Sequence, residues 1–215
     1  KQIIIFILVA LLLGIIGFCS KQYYHYAVAN FKSFDNKPHA YHVFPKTTPD
    51  SLITQMQEDY DLLSQLAWSL HCRYFKLTNL KPGHYRFAEK ISNRDLIRRL
   101  QLGEETPIKL SFTQSIRTRE QLAGYMGKKL LLDSTEVIRR LNSEEYMNNF
   151  GLTPETAVCL FIPNTYEVYW TMTADQLFAR MHKEYQRFWN DDRQAKAKAL
   201  GLTPTEVMTI ASIIA

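Results

Sequence analysis

The sequence lacks the short motifs that mark many nucleotide-dependent and metal-dependent enzymes. It contains no phosphate-binding glycine-rich loop, no G-x-S-x-G elbow, no H-E-x-x-H helix and no C-x-x-C pair. His39 and His42 have no partnering Cys or Asp cluster, which is typical of surface histidines rather than of a metal site. We therefore predict no metal ion and no cofactor. Ser212 has no nearby His/Asp pattern, so a serine nucleophile is not expected.

Cysteine is also scarce, and basic charge is dispersed. Of the three cysteines, Cys19 lies in an apolar run, whereas Cys72 and Cys159 fit either a disulfide or two buried thiols. The net charge of +5 is modest, and the basic pairs lie on predicted helices that also carry acids. Nucleic-acid binding requires a concentrated basic stripe or a known module, so no nucleic-acid partner is predicted. Weak attraction to an anionic polymer or membrane surface stays open.

What the sequence does contain is a long apolar run near its N-terminus. As a helix, the uncharged segment Ile3–Cys19 would span roughly 26 Å, just short of a ~30 Å hydrocarbon core. A cleaved signal peptide would have a shorter apolar region and an A-x-A-like exit, which is absent, so we predict an uncleaved anchor. Lysines flank the run on both sides and do not favour an outward C-terminal domain. Because the sequence does not begin with Met, we expect this count to be incomplete.

Behind the anchor, local signals predict a small α+β unit. The anchor and a juxtamembrane helix are expected to occupy residues 1–34. A strand is predicted over Ala40–Phe44, followed by a helix or helix pair that starts at Thr48 and Pro49 and runs to about residue 75.

A second strand and a further helix complete this unit. His84–Phe87 is the predicted strand, and Ser92 is expected to cap a helix that ends at Gly103. The order of elements within 40–104 is therefore β-α-α-β.

Residues 107–215 are predicted to form a second, helix-rich α+β domain. Pro107–Phe112 alternates as a strand, and Thr118-x-x-Gln121 is a capping box. Gly-Leu-Thr-Pro occurs twice, but its flanks differ, so we interpret the two copies as helix starts and not as a repeat. Further helices are predicted at about 134–142, 143–149, 174–190, 191–200 and from 204 onward.

The last predicted helix starts at Pro204 and should have one buried apolar face. Glu206 follows Thr203 at capping-box spacing, so we expect it to bond the Thr203 backbone N–H rather than to act as an acid. A carboxyl group just beyond Ala215 would be partly desolvated, which would raise its pKa as a general acid near neutral pH requires. The predicted buried stripe consists of Val207, Ile210, Ala211 and Ile214.

Phe161–Trp170 is the most unusual segment, with a proline before a polar pair and then aromatics that alternate with Glu167. It fits an ordinary strand after a proline turn. It also fits a carbohydrate cleft, because aromatic faces stack on sugar rings and Asn164, Thr165 and Glu167 can supply directed hydrogen bonds. The residues alone leave both interpretations open.

Four segments resemble, in order, the motifs of one family. Phe161-x-Pro-Asn-Thr-Tyr166 resembles the F-P-[DN]-T-Y signature of the endolytic murein transglycosylases (the MltG/YceG-like family), and Met208–Ile214 resembles the start of their L-A-S-I-V-x-x-E motif. Leu80–Tyr85 is similar to their L-x-x-G-x-Y segment, and Leu100–Gly103 to the L-x-x-G that follows. Each motif is weak alone, but four in the right order are fairly specific.

The resemblance implies a LysM-like module at about 40–104 and a catalytic domain at 107–215. It also implies a single-pass protein of the inner membrane whose C-terminal domain faces the periplasm. Family members cleave the β-1,4 bond between N-acetylmuramic acid and N-acetylglucosamine in nascent peptidoglycan and leave 1,6-anhydro ends. The implied partners are glycan strands and cell-wall synthases. The implied substrate-binding residues are Asn164, Thr165, Tyr166, Glu167 and Ser212.

The implied chemistry needs only one carboxylic acid. Common glycosidases use two, but in a lytic transglycosylase the sugar's own 6-hydroxyl attacks, which has a large entropic advantage. A single Glu can then act first as acid and later as base. The resemblance puts this Glu about two residues beyond Ala215, so we expect the 215-residue chain to be inactive.

Two other functions compete with this one. A non-catalytic envelope scaffold, binding glycan strands or synthases through the small module, is favoured if no Glu follows within about a turn of Ala215. A hydrolase with two carboxylates would incorporate labelled water oxygen at the new ends. One departure from the family pattern is Gln114-Ser115, where the family often has Glu-Gly.

Overall fold

The computed structural model divides the chain into two units, residues 1–106 and 107–215. Both mix helices with short antiparallel strands, which confirms the predicted α+β class. The predicted boundaries of the LysM-like module and of the catalytic domain stay predictions. The residues that the structure describes are 2–27, 30–61, 68, 72–73, 77, 79–113 and 116–214.

The elements of each unit follow in chain order. Unit 1 contains α1 (Gln2–Ala27), β1 (Asn30–Ser33), β2 (His39–Val43), α2 (Pro49–Met56), β3 (Tyr60–Asp61), β4 (Gly83–Phe87), β5 (Lys90–Ser92) and α3 (Asn93–Leu102). Unit 2 contains β6 (Ile108–Phe112), α4 (Arg119–Lys129), α5 (Ser134–Leu141), α6 (Glu144–Asn148), a 3-10 helix (Pro154–Leu160), β7 (Asn164–Val168), α7 (Ala174–Phe188), α8 (Asp191–Ala199) and α9 (Pro204–Ile214).

Helix α1 is long and apolar enough, over Gln2–Tyr24, to cross a membrane, as the predicted anchor requires. The prediction that this helix continues to residue 34 is wrong, because Asn30–Ser33 is strand β1. Phe31 is buried and the next residue, Lys32, is exposed, which is the alternation of a strand. β1 lies between β3 and β5 in an antiparallel sheet. Pairing with these distant strands outweighs the local tendency of the segment to continue the helix.

The second sheet of unit 1 pairs β2 with β4 over five positions, from His39↔Phe87 to Val43↔Gly83. These are the two strands predicted from the sequence, each starting one residue earlier. The side chains on their inner face are at most 4% exposed and belong to the core of unit 1. A two-stranded ladder is only marginally stable alone, so this buried face is what stabilises it. The inner-face residues are Tyr41, Val43, Tyr85 and Phe87.

The helix caps of unit 1 are those that the sequence predicted. The Thr48 side chain accepts the Ser51 N–H, and the Ser92 side chain accepts the Asp95 N–H. Gly103 ends α3 with a φ of 73°, which is the left-handed conformation that favours glycine. However, α2 ends at Met56, and most of the predicted continuation to residue 75 lies outside the described residues.

In unit 2, β6 and β7 form a second five-position antiparallel ladder, from Ile108↔Val168 to Phe112↔Asn164. Its inner face packs into a core with α4, α5, α7 and the 3-10 helix. The capping box at Thr118 and Gln121 is present as predicted. The first Gly-Leu-Thr-Pro copy opens a 3-10 helix and the second opens α9, so both are helix starts.

The apolar stripe of α9 is not buried, contrary to the prediction. Ile210 and Ile214 are 44% and 81% exposed, and no residue of α9 is buried. Val207 and Met208 are half-buried, and α9 contacts the 3-10 helix and α8. Within the described residues, other elements therefore pack only on the first part of α9. Helical periodicity shows which side chains share a face of a helix, but it does not show what packs on that face.

Candidate functional site

The candidate site is the outer face of the β6–β7 ladder, which is polar. The register places Lys109 opposite Glu167 and Ser111 opposite Thr165. Lys109, Thr165 and Glu167 are exposed, and Ser111 is half-buried. The Ser111 and Thr165 hydroxyl oxygens are 2.8 Å apart, so one donates to the other. This face therefore presents a pair of hydroxyls next to a pair of opposite charges.

Of the predicted site residues, Thr165 and Glu167 lie on this face, whereas Tyr166 points to the other side. Tyr166 is 6% exposed, and its ring lies 6.0 Å from that of Phe112. Its hydroxyl donates to the Ile162 carbonyl at 2.8 Å. Burial raises the pKa of the Tyr166 phenol, so the hydroxyl is protonated at neutral pH and stays the donor in this bond. Tyr166 therefore closes the turn before β7 and positions its neighbours rather than presenting its ring to a ligand.

Asn164 lies at the start of β7 and is exposed. Its side-chain oxygen accepts the Thr165 N–H at 2.7 Å, which orients the carboxamide along the strand. Asn164 and Thr165 thus begin β7 directly after the turn that the Tyr166–Ile162 hydrogen bond closes. Whether these residues bind substrate stays a prediction.

Tyr125, on α4, supports the site, although no sequence pattern pointed to it. The Ser111 N–H donates to the Tyr125 hydroxyl at 3.2 Å, and that hydroxyl donates to the Ser111 carbonyl at 2.6 Å. The backbone groups of Ser111 consequently face away from β7, and the side chains of a pair of this type approach closely. Ser111 and Lys109 could have been identified from the sequence, because they occupy alternate positions of the predicted strand Pro107–Phe112. Tyr125 gives no local signal.

Ser212 is separated from the other predicted residues by its element. It lies exposed on α9, and its hydroxyl donates to the Thr209 carbonyl at 2.8 Å. Asn164, Thr165, Tyr166 and Glu167 all belong to β7. Four of the five predicted residues therefore lie on one strand. Ser212 lies on α9, where its hydroxyl makes a local contact within the helix.

Two carboxyl groups of unit 2, those of Glu206 and Asp175, have pKa values shifted away from that of a general acid for neutral pH. Glu206 accepts the Thr203 N–H at 2.7 Å, so its predicted capping role is confirmed. That bond, with a second from the Thr203 hydroxyl, lowers the pKa of Glu206. Bonds from Arg140 and then Tyr146 likewise lower the pKa of Asp175. A proton donor needs a pKa shifted in the opposite direction.

Cys72 and Cys159 are both free thiols, and burial raises the pKa of each, that of Cys72 to about 12. Over the described part of the chain, no group of three or more His, Cys, Asp and Glu side chains is arranged to hold a metal ion. Gln114-Ser115, the departure from the family pattern, lies outside the described residues.

Comparison with known proteins identifies relatives of this arrangement. The model of the YceG-like family matches residues 41–215. The 2.6 Å crystal structure of a YceG-like protein from Listeria monocytogenes is similar, with 16% sequence identity and a TM-score of 0.45. That match covers 78% of this chain and 60% of the Listeria chain, so this chain spans less than two thirds of the length of the Listeria protein. None of the curated proteins matches the chain.

Proposed function

Because the chain belongs to the YceG-like family, we propose that its protein is a membrane-anchored endolytic lytic transglycosylase. It cuts the β-1,4 bond between N-acetylmuramic acid and N-acetylglucosamine in nascent peptidoglycan and leaves 1,6-anhydro ends, which terminates strand elongation. The observation that carries the proposal is the family match. It spans both the Phe161–Tyr166 motif and α9.

The place of action follows from the anchor and the substrate. Helix α1 has the length and composition of a membrane span. A protein that acts on nascent glycan needs its folded part on the side where strands are polymerised, so we place unit 2 and the part of unit 1 that follows α1 in the periplasm. Tethering to the inner membrane would keep them near the synthases that produce the strands.

In this proposal, the outer face of β6–β7 binds the glycan. Sugar hydroxyls both donate and accept, as do the paired hydroxyls of Ser111 and Thr165. Glu167 adds an acceptor on this face, and the Asn164 side chain adds one at the start of β7; both residues are exposed. Tyr166 acts as a positioning residue, because its bond to Ile162 fixes the turn that presents Asn164 and Thr165.

The proposed cleavage uses a single carboxylic acid that extends α9. This group protonates the leaving oxygen and then takes the proton of the attacking 6-hydroxyl, which is already tethered to the reacting carbon. The neighbouring side chains on α9, Ile213 and Ile214, are 79% and 81% exposed. Once a glycan covers them, they would provide the apolar surroundings that raise the pKa of a carboxyl group. Ser212, in the same segment, is proposed as a substrate contact.

The decisive experiment uses the gene product that includes the residues following Ala215, purified in detergent and incubated with uncrosslinked glycan strands. Mass spectrometry should detect 1,6-anhydro ends. A variant with Gln in place of the Glu about two residues beyond Ala215 should yield none, because an amide cannot donate and retrieve the proton. The 215-residue chain should also yield none while still binding glycan.

Two outcomes would overturn the proposal. Reducing ends that carry labelled water oxygen would identify a hydrolase. Glycan binding without any cleavage, together with no acidic residue within about a turn of Ala215, would identify the envelope scaffold instead.

A further inference from the structure

Two histidines of unit 1 lie side by side on the outer face of the β2–β4 ladder. His42 and His84 are directly opposite each other in the register. Their ring centroids are 5.0 Å apart, with 44° between the ring planes. Strand pairing brings these rings together from distant parts of the chain.

The backbone around this pair favours close approach of the two side chains. The His84 N–H donates to a Glu105 carboxylate oxygen at 3.2 Å, and the His84 carbonyl accepts the Thr106 N–H at 2.6 Å. Both backbone groups therefore face away from β2, which makes His42 and His84 a non-hydrogen-bonded pair. In such pairs the Cα atoms are only about 4.5 Å apart.

The strands that carry the two rings are held rigidly from the other face. Tyr41, Val43 and Tyr85 flank the histidines in sequence and are 4%, 0% and 0% exposed. Because their side chains are packed in the core of unit 1, the imidazoles on the opposite face start from fixed positions. Groups on well-packed strands are more precisely placed than groups on loops.

Hydrogen bonding fixes the tautomer of His84. Its Nδ1 lies 2.9 Å from the Thr106 carbonyl oxygen. Since a carbonyl oxygen only accepts, Nδ1 carries the proton and Nε2 carries the lone pair. A ring N–H donated to a backbone carbonyl is the usual second contact of a metal-ligating histidine, because it orients the ring and increases the basicity of the other nitrogen.

The surroundings also suit a cation. The Glu105 carboxylate bonded to the His84 backbone brings negative charge next to the pair.

We propose that His42 and His84 together bind one divalent late transition-metal ion of the class that prefers imidazole, such as Zn²⁺ or Cu²⁺. For tetrahedral Zn²⁺ with Zn–N bonds of about 2.0–2.1 Å, two ligating rings have centroids roughly 5 Å apart, as these do. Water completes the coordination, and the ion links β2 to β4. This site is independent of the proposed cleavage of peptidoglycan.

Calorimetric titration of the full chain in detergent with ZnCl₂ tests the proposal. Loss of an outer-shell partner alone costs roughly 10–100-fold in metal affinity, so His42→Ala and His84→Ala should each weaken binding at least tenfold. The double variant should bind more weakly than either single variant, because it retains neither imidazole ligand. Arg86→Ala is the matched control, since Arg86 is exposed on the same strand face, and it should leave the affinity unchanged.

Cu²⁺ provides a second readout that does not depend on the binding heat. Electron paramagnetic resonance should show two imidazole nitrogens on Cu²⁺ in the unsubstituted chain and one in each single variant. Circular dichroism without metal should be the same for all chains, because both histidines lie on the outer face. Undetectable Zn²⁺ binding, or a Zn²⁺ affinity that neither substitution changes, would overturn the proposal.

Discussion

The β2–β4 ladder of unit 1 and the β6–β7 ladder of unit 2 share one local construction. In each, a tyrosine follows a proline by three positions and donates its hydroxyl to the carbonyl just before that proline. The Tyr85 hydroxyl bonds the Lys81 carbonyl at 2.8 Å, and the Tyr166 hydroxyl bonds the Ile162 carbonyl at 2.8 Å. Both tyrosines are buried. The bond fixes the turn that leads into the strand and gives the carbonyl before the proline a hydrogen-bond partner.

The two ladders differ on their outer faces. The outer face of β2–β4 presents the imidazoles of His42 and His84, whereas that of β6–β7 presents the hydroxyls of Ser111 and Thr165. Both are pairs whose backbone groups point away from the partner strand. The comparison indicates that the buried half of a ladder sets the backbone, while the outer half is free to carry different ligand chemistry.

The largest expected effect comes from removing either buried ring. Tyr85→Ala and Tyr166→Ala should each lower the free energy of unfolding by about 3–5 kcal/mol, as truncation of large aromatic core residues does. Hydrogen exchange should show the loss in the unit that contains the substitution. A loss below about 1 kcal/mol for one tyrosine would contradict the shared role of the two tyrosines, because the two turns would then not be equivalent.

Removing only the hydroxyl should have a smaller effect of the same size in both ladders. Tyr85→Phe and Tyr166→Phe keep the ring but leave a carbonyl without its donor, which should cost about 1–2 kcal/mol. Urea denaturation measures this difference. Tyr169→Phe is the control, because the Tyr169 ring is 50% exposed and its substitution should change little. A neutral result for either buried tyrosine would contradict the shared role of this bond.

Acid should weaken both units through carboxylates whose pKa is lowered in the fold. Bonds from Arg140 and then Tyr146 lower the pKa of Asp175 in unit 2, and bonds from Ser33 and then His39 lower that of Asp35 in unit 1. Because the folded pKa lies below the unfolded value near 3.8, the stabilisation is complete well above pH 4. It is lost as the pH falls through the folded value.

Asp175→Asn tests this dependence. The Asp175 side chain is 62% exposed, so solvent screening limits the expected loss to about 1 kcal/mol or less at pH 7. Near pH 2 the variant and the unsubstituted chain should have similar stability, since protonated Asp resembles Asn. A loss that is the same at both pH values would show that the Asp175 charge is not what stabilises unit 2.

The smallest effect on stability is expected on the outer faces, where binding should change instead. Thr165→Ala removes the bond to Ser111 but should alter the free energy of unfolding by no more than about 0.5 kcal/mol. Glycan affinity should fall several-fold, by about 1 kcal/mol for one directed hydrogen bond. His42→Ala on the other ladder is the matched control and should leave glycan affinity unchanged. Equal weakening by both would place glycan binding elsewhere.

Much of the secondary structure was predictable because its signals are local. Thr48, Ser92 and Thr118 cap helices as predicted, since a side-chain oxygen and the N–H groups it bonds are close in sequence. Gly103 ends α3 for an equally local reason. The errors occur where distant residues decide. β1 pairs with β3 and β5 from remote parts of the chain, so a helix predicted from its neighbours was wrong there.

The candidate site divides in the same way. The motif Phe161–Tyr166 predicted site residues on what is strand β7, but only the fold shows that Tyr166 points inward and that Ser111 faces Thr165. Likewise, no Cys or Asp cluster lies near His42 in the sequence, and only strand pairing places His84 beside it.

By itself, the sequence determined the long apolar helix, the helix starts, the strand periodicity and the family motif, because each depends on residues within a few positions of one another. The tertiary structure alone decided which strands pair, which polar side chains meet on an outer face, and that the apolar stripe of α9 is exposed. Those outcomes depend on contacts between segments far apart in the chain, and local pattern does not specify such contacts.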